Sequence, residues 1–444
     1  MKKQALLLLL WLPVYLVAGE ITCPISRSIQ SLRIQYLQDA LSDSRRDPVR
    51  PYLTMPVEGV IDGSDPANTL LISFDEMSHI EHQYAYSVQH LNADYTIDDL
   101  SSFDYVRGFT RMDITDYVTS LNTTRDYTHY SFAFPNEDMQ LLISGNYLIT
   151  IYDPAQGEEA PIAKVVFNVV EPHVGIYATV TPNTTEEIAG RYQQLNIDVD
   201  ARDIRWFNPN EITLVVRQND RIDNCVYAPY PSFVEANRLR WTNHAALIFE
   251  GGNEYRHFDT YSTYYGGYHV DRIRYDHQDY HAFLDIDPVL GTLNSNSSRC
   301  GMAYTRENDH NGMCVVNAER CSDIATEAEY MYVHWVLPVE EPIFDGSIYI
   351  GGDIFYNQLN AGLNRMLYDN EQRCYYFNGL VKQGGYDYQY WLKKKGEPSA
   401  TLLLTEGSHW ETENVYTIYV YFHSVNDRYD RLVGIKQVYS SSST

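Results

Sequence analysis

Basic side chains are in short supply in this chain: 33 Lys and Arg stand against 59 Asp and Glu in 444 residues, a formal charge of −26. A nucleic-acid surface displaces counterions with clustered Lys and Arg, so this balance argues against DNA or RNA as a partner. Cysteine is sparse too, with six in all: Cys23, Cys225, Cys300, Cys314, Cys321 and Cys374. Six is too few for a scaffold that depends on disulfides, and without CxxC or Cys/His spacing they do not describe a zinc site. Several pairings are open to them, a local bridge among Cys300, Cys314 and Cys321 included. Past the first twenty residues no apolar run approaches the length of a spanning helix. Internal repeats are missing, which disfavours solenoids and propellers. Long 3.6-period apolar stripes are nearly absent, leaving 29–41 and 113–121 as the best helix candidates.

Tyrosine is abundant, at 39 residues against 15 Phe and 6 Trp. It favours pleated, half-buried surfaces and supplies an amphipathic ring at interfaces, so the bias predicts β-structure and a binding face. Segments 69–74, 84–90, 147–152, 163–170, 212–217, 330–337, 347–350, 386–391 and 415–422 read as strands, many alternating at period two. Gly145-Asn146, Asn311-Gly312 and Asp345-Gly346 read as turns between such runs. An outer-membrane barrel is disfavoured because charges interrupt many of these segments and the chain ends in a serine run.

Lys2 and Lys3, an apolar core from Ala5 to Ala18 and the small residue Gly19 describe a secretory signal peptide over 1–19, with cleavage before Glu20. Cys23 lacks the small preceding residues that lipid attachment requires. Breaks at Glu171-Pro172-His173 and in the acidic, proline-containing stretch 338–342 divide the rest. The expected organisation is three consecutive β-sandwich domains: 20–172, a middle β-rich domain 173–340, and 341–439 of immunoglobulin-like size. Residues 440–444 read as a disordered tail.

Chemistry is hard to find. Glu250 and Glu254 could be paired glycosidase carboxylates, but Gly251-Gly252-Asn253 between them reads as a turn, and Arg256 as the partner of a neighbouring acid. Glu307, Asn308, Asp309, Asn311 and Gly312 offer oxygen ligands without the EF-hand order, so a hairpin turn explains them with less. Ser408, His409 and Glu411 are adjacent in sequence, which is no basis for a triad, and GxSxG and HExxH are absent. His257, His269, His277 and His281 form a loose cluster without metal spacing. No Gly-rich phosphate loop is present. The residues themselves therefore point to no catalytic group, metal or cofactor.

A co-linear series of motifs does point to a family. It includes His90-Leu91-Asn92-Ala93-Asp94-Tyr95, Tyr105-Val106-Arg107-Gly108-Phe109, Tyr127-Thr128-His129-Tyr130, Ser144-Gly145-Asn146-Tyr147-Leu148 and Arg217-Gln218-Asn219-Asp220-Arg221. It continues with Phe249-Glu250-Gly251-Gly252-Asn253-Glu254-Tyr255-Arg256, Lys382-Gln383-Gly384-Gly385-Tyr386-Asp387-Tyr388-Gln389-Tyr390-Trp391, Glu406-Gly407-Ser408-His409-Trp410 and Tyr429-Asp430-Arg431-Leu432-Val433-Gly434. Together these resemble the plug protein family of the type IX secretion system, from about residue 25 to 436 by motif order. The resemblance implies a non-enzymatic periplasmic protein without cofactors. It would bind and occlude the periplasmic opening of the giant outer-membrane SprA (Sov) translocon barrel, peripheral to the membrane through that partner. Expected contacts are exposed aromatic and charged loop positions: Tyr255, Arg256, Trp410 and Glu411. The last block also resembles an early-set immunoglobulin-like domain of the glycogen-binding type. That implies an alternative, a periplasmic glycan binder with Trp391 and Trp410 as a stacking platform; a metal-dependent hydrolase is a distant third.

Overall fold

A computed structural model describes residues 21–42, 49–57, 59–294, 304–306 and 309–440. The expected signal peptide, Cys300, Glu307, Asn308 and residues 441–444 lie outside them. The fold is mainly β, built of sheets packed face to face.

The N-terminal sandwich is built from strands lying between Cys23 and Val170. One sheet is centred on antiparallel strands Tyr84–Leu91, Gly145–Tyr152 and Pro161–Val170, the other on Ile29–Tyr36, Leu70–Glu76 and Thr128–Phe134. Their inward-facing Ile72, Phe74, Tyr86, Val88, Ile149, Ile151, Val165 and Phe167 form one core. Burying such side chains contributes roughly 1.5–3 kcal/mol each.

The second boundary falls elsewhere than the sequence suggests. Strand Ile212–Gln218 pairs along its whole length with Val415–Phe422, which in turn pairs with Arg431–Tyr439. This sheet packs on a second, in which Tyr192–Asp200 pairs with Gly175–Thr181 and Arg238–Trp241. Leu195, Ile197, Trp241, Leu214, Val216, Ile418 and Val420 fill the space between them. The central sandwich is therefore discontinuous, and the division expected at 340 does not separate sheets. The third sandwich is inserted into it, running from strand Arg256–Asp259 to strand Gly384–Lys394. Its two sheets enclose Phe258, Met331, Val333, Trp335, Ile348, Tyr386, Tyr388 and Tyr390. Within it strand Gly346–Gly351 pairs antiparallel with Gly384–Lys394.

Both helix candidates are corrected. Ile29–Tyr36 is a strand, and the helix is confined to Leu37–Leu41; 113–121 is divided between strands Arg111–Ile114 and Asp116–Thr119. In each case available sheet edges outweigh a weak local helical pattern. Gly145-Asn146 opens a strand instead of making a turn. A Cβ on Gly145, at φ +141°, would come within 2.1 Å of the His90 imidazole. Ser440, assigned to the tail, donates its hydroxyl to Thr412 O at 2.7 Å and so closes the final strand.

Candidate functional site

Strand Gly384–Lys394 is buried on both faces because its alternation serves two partners. Tyr386, Tyr388, Tyr390 and Leu392 point into the inserted core, while Asp387, Gln389 and Trp391 point away from it. On that second side, four of the motif segments that carry the family resemblance meet.

Arg256 lies at the centre of this junction. Its guanidinium donates to Glu406 at 2.8 Å, to Asp287 at 2.8 Å and to Pro288 O at 2.8 Å. Asp287 also accepts the hydroxyls of Tyr388 and Tyr390, each at 2.6 Å. Burial would raise the Asp287 carboxyl, but the Arg256 charge and the His269 hydrogen bond outweigh it and hold the group below the ordinary carboxylate value. Glu250 accepts from Thr401 Oγ1 at 2.8 Å and Leu402 N at 3.0 Å. Glu254 accepts from Tyr304 Oη at 2.5 Å, and burial pushes its carboxyl up. Asn253 donates to Glu406 O at 3.0 Å while its own carbonyl accepts from Gln389 Nε2 at 2.8 Å. Arg221 stacks 4.4 Å over the Trp391 ring and reaches Ala400 O at 2.9 Å. Each of these carboxylates holds protein donors, so the cluster works as a lock between the central and inserted sandwiches.

Two further junctions complete the assembly. Between the N-terminal and inserted sandwiches, Asp75 accepts from Lys382 Nζ and Tyr330 Oη at 2.7 Å each, with His129 Nδ1 at 2.6 Å. Glu329 accepts from Thr124 N at 2.6 Å, and Arg125 pairs with Asp279 at 2.8 Å. Between the N-terminal and central sandwiches, Tyr421 donates to Asn146 Oδ1 at 2.9 Å and Arg217 lies 4.7 Å over Tyr95. Arg50 touches all three bodies: from the N-terminal chain it reaches Asp220 at 3.1 Å in the central sandwich and Asp353 at 2.7 Å in the inserted one. Asp353 in turn accepts from the Cys314 thiol, which burial pushes up to about 12. Cys314 and Cys321 are not joined in a disulfide.

The four expected contact residues do not share a surface. Tyr255 is 1% exposed and the Arg256 side chain 10%, so neither is a loop contact; their partners lie too far along the chain for sequence to show. Trp410 and Glu411 are exposed, on the loop whose backbone is held by Gln193 Nε2 at Trp410 O, 2.7 Å, and Thr412 O, 2.8 Å. The histidine grouping also dissolves. His269 pairs with Asp287 at 3.0 Å and His281 with Asp276 at 3.1 Å, while His257 joins Asp387 at 2.8 Å. Asp309 bonds the backbone N–H groups of Tyr255 and Asn311, and burial pushes its carboxyl up to about 8. Asp75 and Arg50 were not singled out in the sequence, and Lys382 only as the first residue of a motif.

Three β-sandwiches locked pairwise by buried polar junctions define a multi-sandwich scaffold. Residues 55–171 match the family model described as the type 9 secretion system plug protein 1st domain. The chain is also similar to a solved structure, a hypothetical protein from Parabacteroides merdae. The two share 31% identity at a TM-score of 0.86, over 95% of this chain and 100% of that one. No curated protein matches the sequence. Residues 55–171 thus match the type 9 secretion system plug protein family. The role of the chain is accordingly associated with type 9 secretion. No helix among the described residues is long and apolar enough to cross a membrane.

Proposed function

We propose that this protein is a periplasmic plug that occludes the periplasmic opening of the SprA (Sov) translocon barrel without catalysing a reaction. A pore wide enough for folded cargo breaches the outer membrane when idle, and a steric plug closes it only if its parts do not slide apart. The observation that supports this reading best is the set of buried junctions, with Arg50 gripping the central and inserted sandwiches at once. Release when cargo arrives requires a polar, reversible interface, not an obligate apolar one. Trp410 and Glu411 are the proposed contacts retained from the sequence, because they alone of the four reach solvent.

The glycan-binding alternative loses half of its platform, since Trp391 is fully buried beneath Arg221. The plug reading is tested by affinity purification of the tagged protein from detergent-solubilised envelopes. A stoichiometric giant barrel is the expected companion, weakened by Trp410→Ala with Glu411→Ala. Recovery of the protein alone, in detergent that preserves other envelope complexes, refutes it. Deleting the gene is expected to admit large antibiotics through an intact translocon, and unchanged permeability counts against occlusion.

A further inference from the structure

We infer that His257, His310 and Asp387 form a binding site for a divalent transition-metal ion, zinc being the best match to the donor set. The topology brings them together from three segments. Strand Arg256–Asp259 runs antiparallel to Gly384–Lys394 with His257 directly opposite Asp387. Strand Cys314–Val316 pairs with the same long strand and carries in the turn that bears His310. One ligating atom from each side chain lies within 4.8 Å of the other two.

For the His257–Asp387 pair the geometry is close to that of a bound state. His257 Nδ1 and Asp387 Oδ1 are 2.8 Å apart. Two such atoms, each about 2.05 Å from zinc, subtend about 86° at the metal, the edge angle of a five- or six-coordinate site; opening them by about 0.5 Å gives a tetrahedral one. Two imidazoles and one carboxylate suit zinc among the common divalent ions and leave further positions for water.

The carboxylate is already oriented. Asp387 is fully buried, and its Oδ2 accepts from His310 N at 2.5 Å and Gly312 N at 3.2 Å. Those bonds turn Oδ1 toward His257, as outer-shell bonds to metal-ligating carboxylates do, and they anchor the turn that supplies the third ligand. A hydrogen bond between His257 and Asp387 would by itself account for two of the three residues. His310 is the third donor beside them, its ring centroid 6.2 Å from that of His257. Both histidines are half-buried, which leaves a route for the ion. Space for the His257 ring depends on Gly385, where an added Cβ would come 3.2 Å from Cε1. A metal here would brace the turn whose Gly312 O accepts Asp353 N at 2.7 Å, next to the carboxylate that Arg50 grips.

The test is zinc titration of the chelator-stripped full chain by calorimetry against a competing chelator. One ion per chain is expected, together with a zinc-dependent rise in thermal midpoint. His257→Ala and His310→Ala should each weaken binding at least about 10-fold while the metal-free circular dichroism spectrum stays unchanged. His277→Ala, at an exposed turn, should leave affinity unaltered. Cobalt(II) gives a second readout, a visible absorption band present in the native protein and lost in both ligand variants. The inference is overturned if the folded native chain takes up no zinc at micromolar concentration, or if His277→Ala lowers affinity as much as His310→Ala does.

Discussion

Replacing Lys382 by Met should uncouple the N-terminal sandwich from the rest of the molecule. The Lys382 and Asp75 side chains are 3% and 1% exposed and 2.7 Å apart. Burial pulls the ammonium below its usual value and Asp75 only partly offsets this. Burial likewise opposes ionisation of Asp75, yet Lys382 and His129 together hold its carboxyl below the ordinary range. Removing the ammonium leaves a buried carboxylate with His129 and Tyr330 as its remaining partners, a loss of about 3–5 kcal/mol. Asp75→Asn combined with Lys382→Met removes both charges and should recover most of that loss, because a buried pair contributes little net of its desolvation. The assay is urea unfolding followed by two probes. Trp206, Trp241, Trp335, Trp391 and Trp410 all lie outside the N-terminal sandwich, so fluorescence reports the other two bodies while circular dichroism reports all three. In the native protein the two curves should coincide; in Lys382→Met the dichroism transition should come first. The pH dependence has a definite sign. The Asp75 carboxyl titrates lower folded than unfolded, so its stabilisation is present above about pH 4 and fades as pH falls through the folded value. A cost below about 1 kcal/mol, coincident curves in the variant, or a double variant no better than the single one would refute the reasoning.

Arg50→Ala should cost only about 1 kcal/mol, because its ion pairs are about one-third exposed, yet it should speed hydrogen exchange around both Asp220 and Asp353. Gly351→Ala places a Cβ 1.9 Å from Trp391 Cε2 and should destabilise by about 1–3 kcal/mol in chemical denaturation, whereas Gly362→Ala, whose nearest neighbour is a side-chain oxygen at 3.5 Å, should be close to neutral. Burial disfavours the charged form of His269, but Asp287 and Asp285 more than compensate and raise its pKa. The resulting stabilisation is complete below about pH 6.5 and declines as pH rises through the folded value; His269→Asn should flatten that part of the stability curve measured by thermal unfolding.

Strands were legible in the sequence where burial alternates along them: 163–170 and 330–337 both fall within strands of the structure. What local pattern could not carry was pairing across long separations. Ile212–Gln218 and Val415–Phe422 each read as a strand, but nothing in either names the other as its neighbour. The site failed for the same reason. Arg256 reads as an exposed charge until Glu406, 150 residues later, is placed beside it. The histidine grouping failed because sequence proximity put His257 with His269, whereas the sheet register puts it opposite Asp387. The motif series, by contrast, pointed to the family whose model matches residues 55–171, because it drew on motifs in chain order.

The discontinuity of the central sandwich has a consequence for how the protein comes into being. Its first half, through strand Ile248–Glu250, leaves Ile212–Gln218 without the partner that completes its sheet until Val415–Phe422 has been made and delivered. The N-terminal sandwich is complete once Pro161–Val170 is present, and the inserted one once Gly384–Lys394 is. Two bodies can therefore mature as the chain emerges, while the third waits for the last strands, with an open edge of the kind that pairs wrongly if left exposed. A chain cut short before Val415 would present two finished sandwiches flanking an unfinished one. Only synthesis through strand Arg431–Tyr439 closes the central sandwich, so the connectivity itself makes the late strands a condition of assembly.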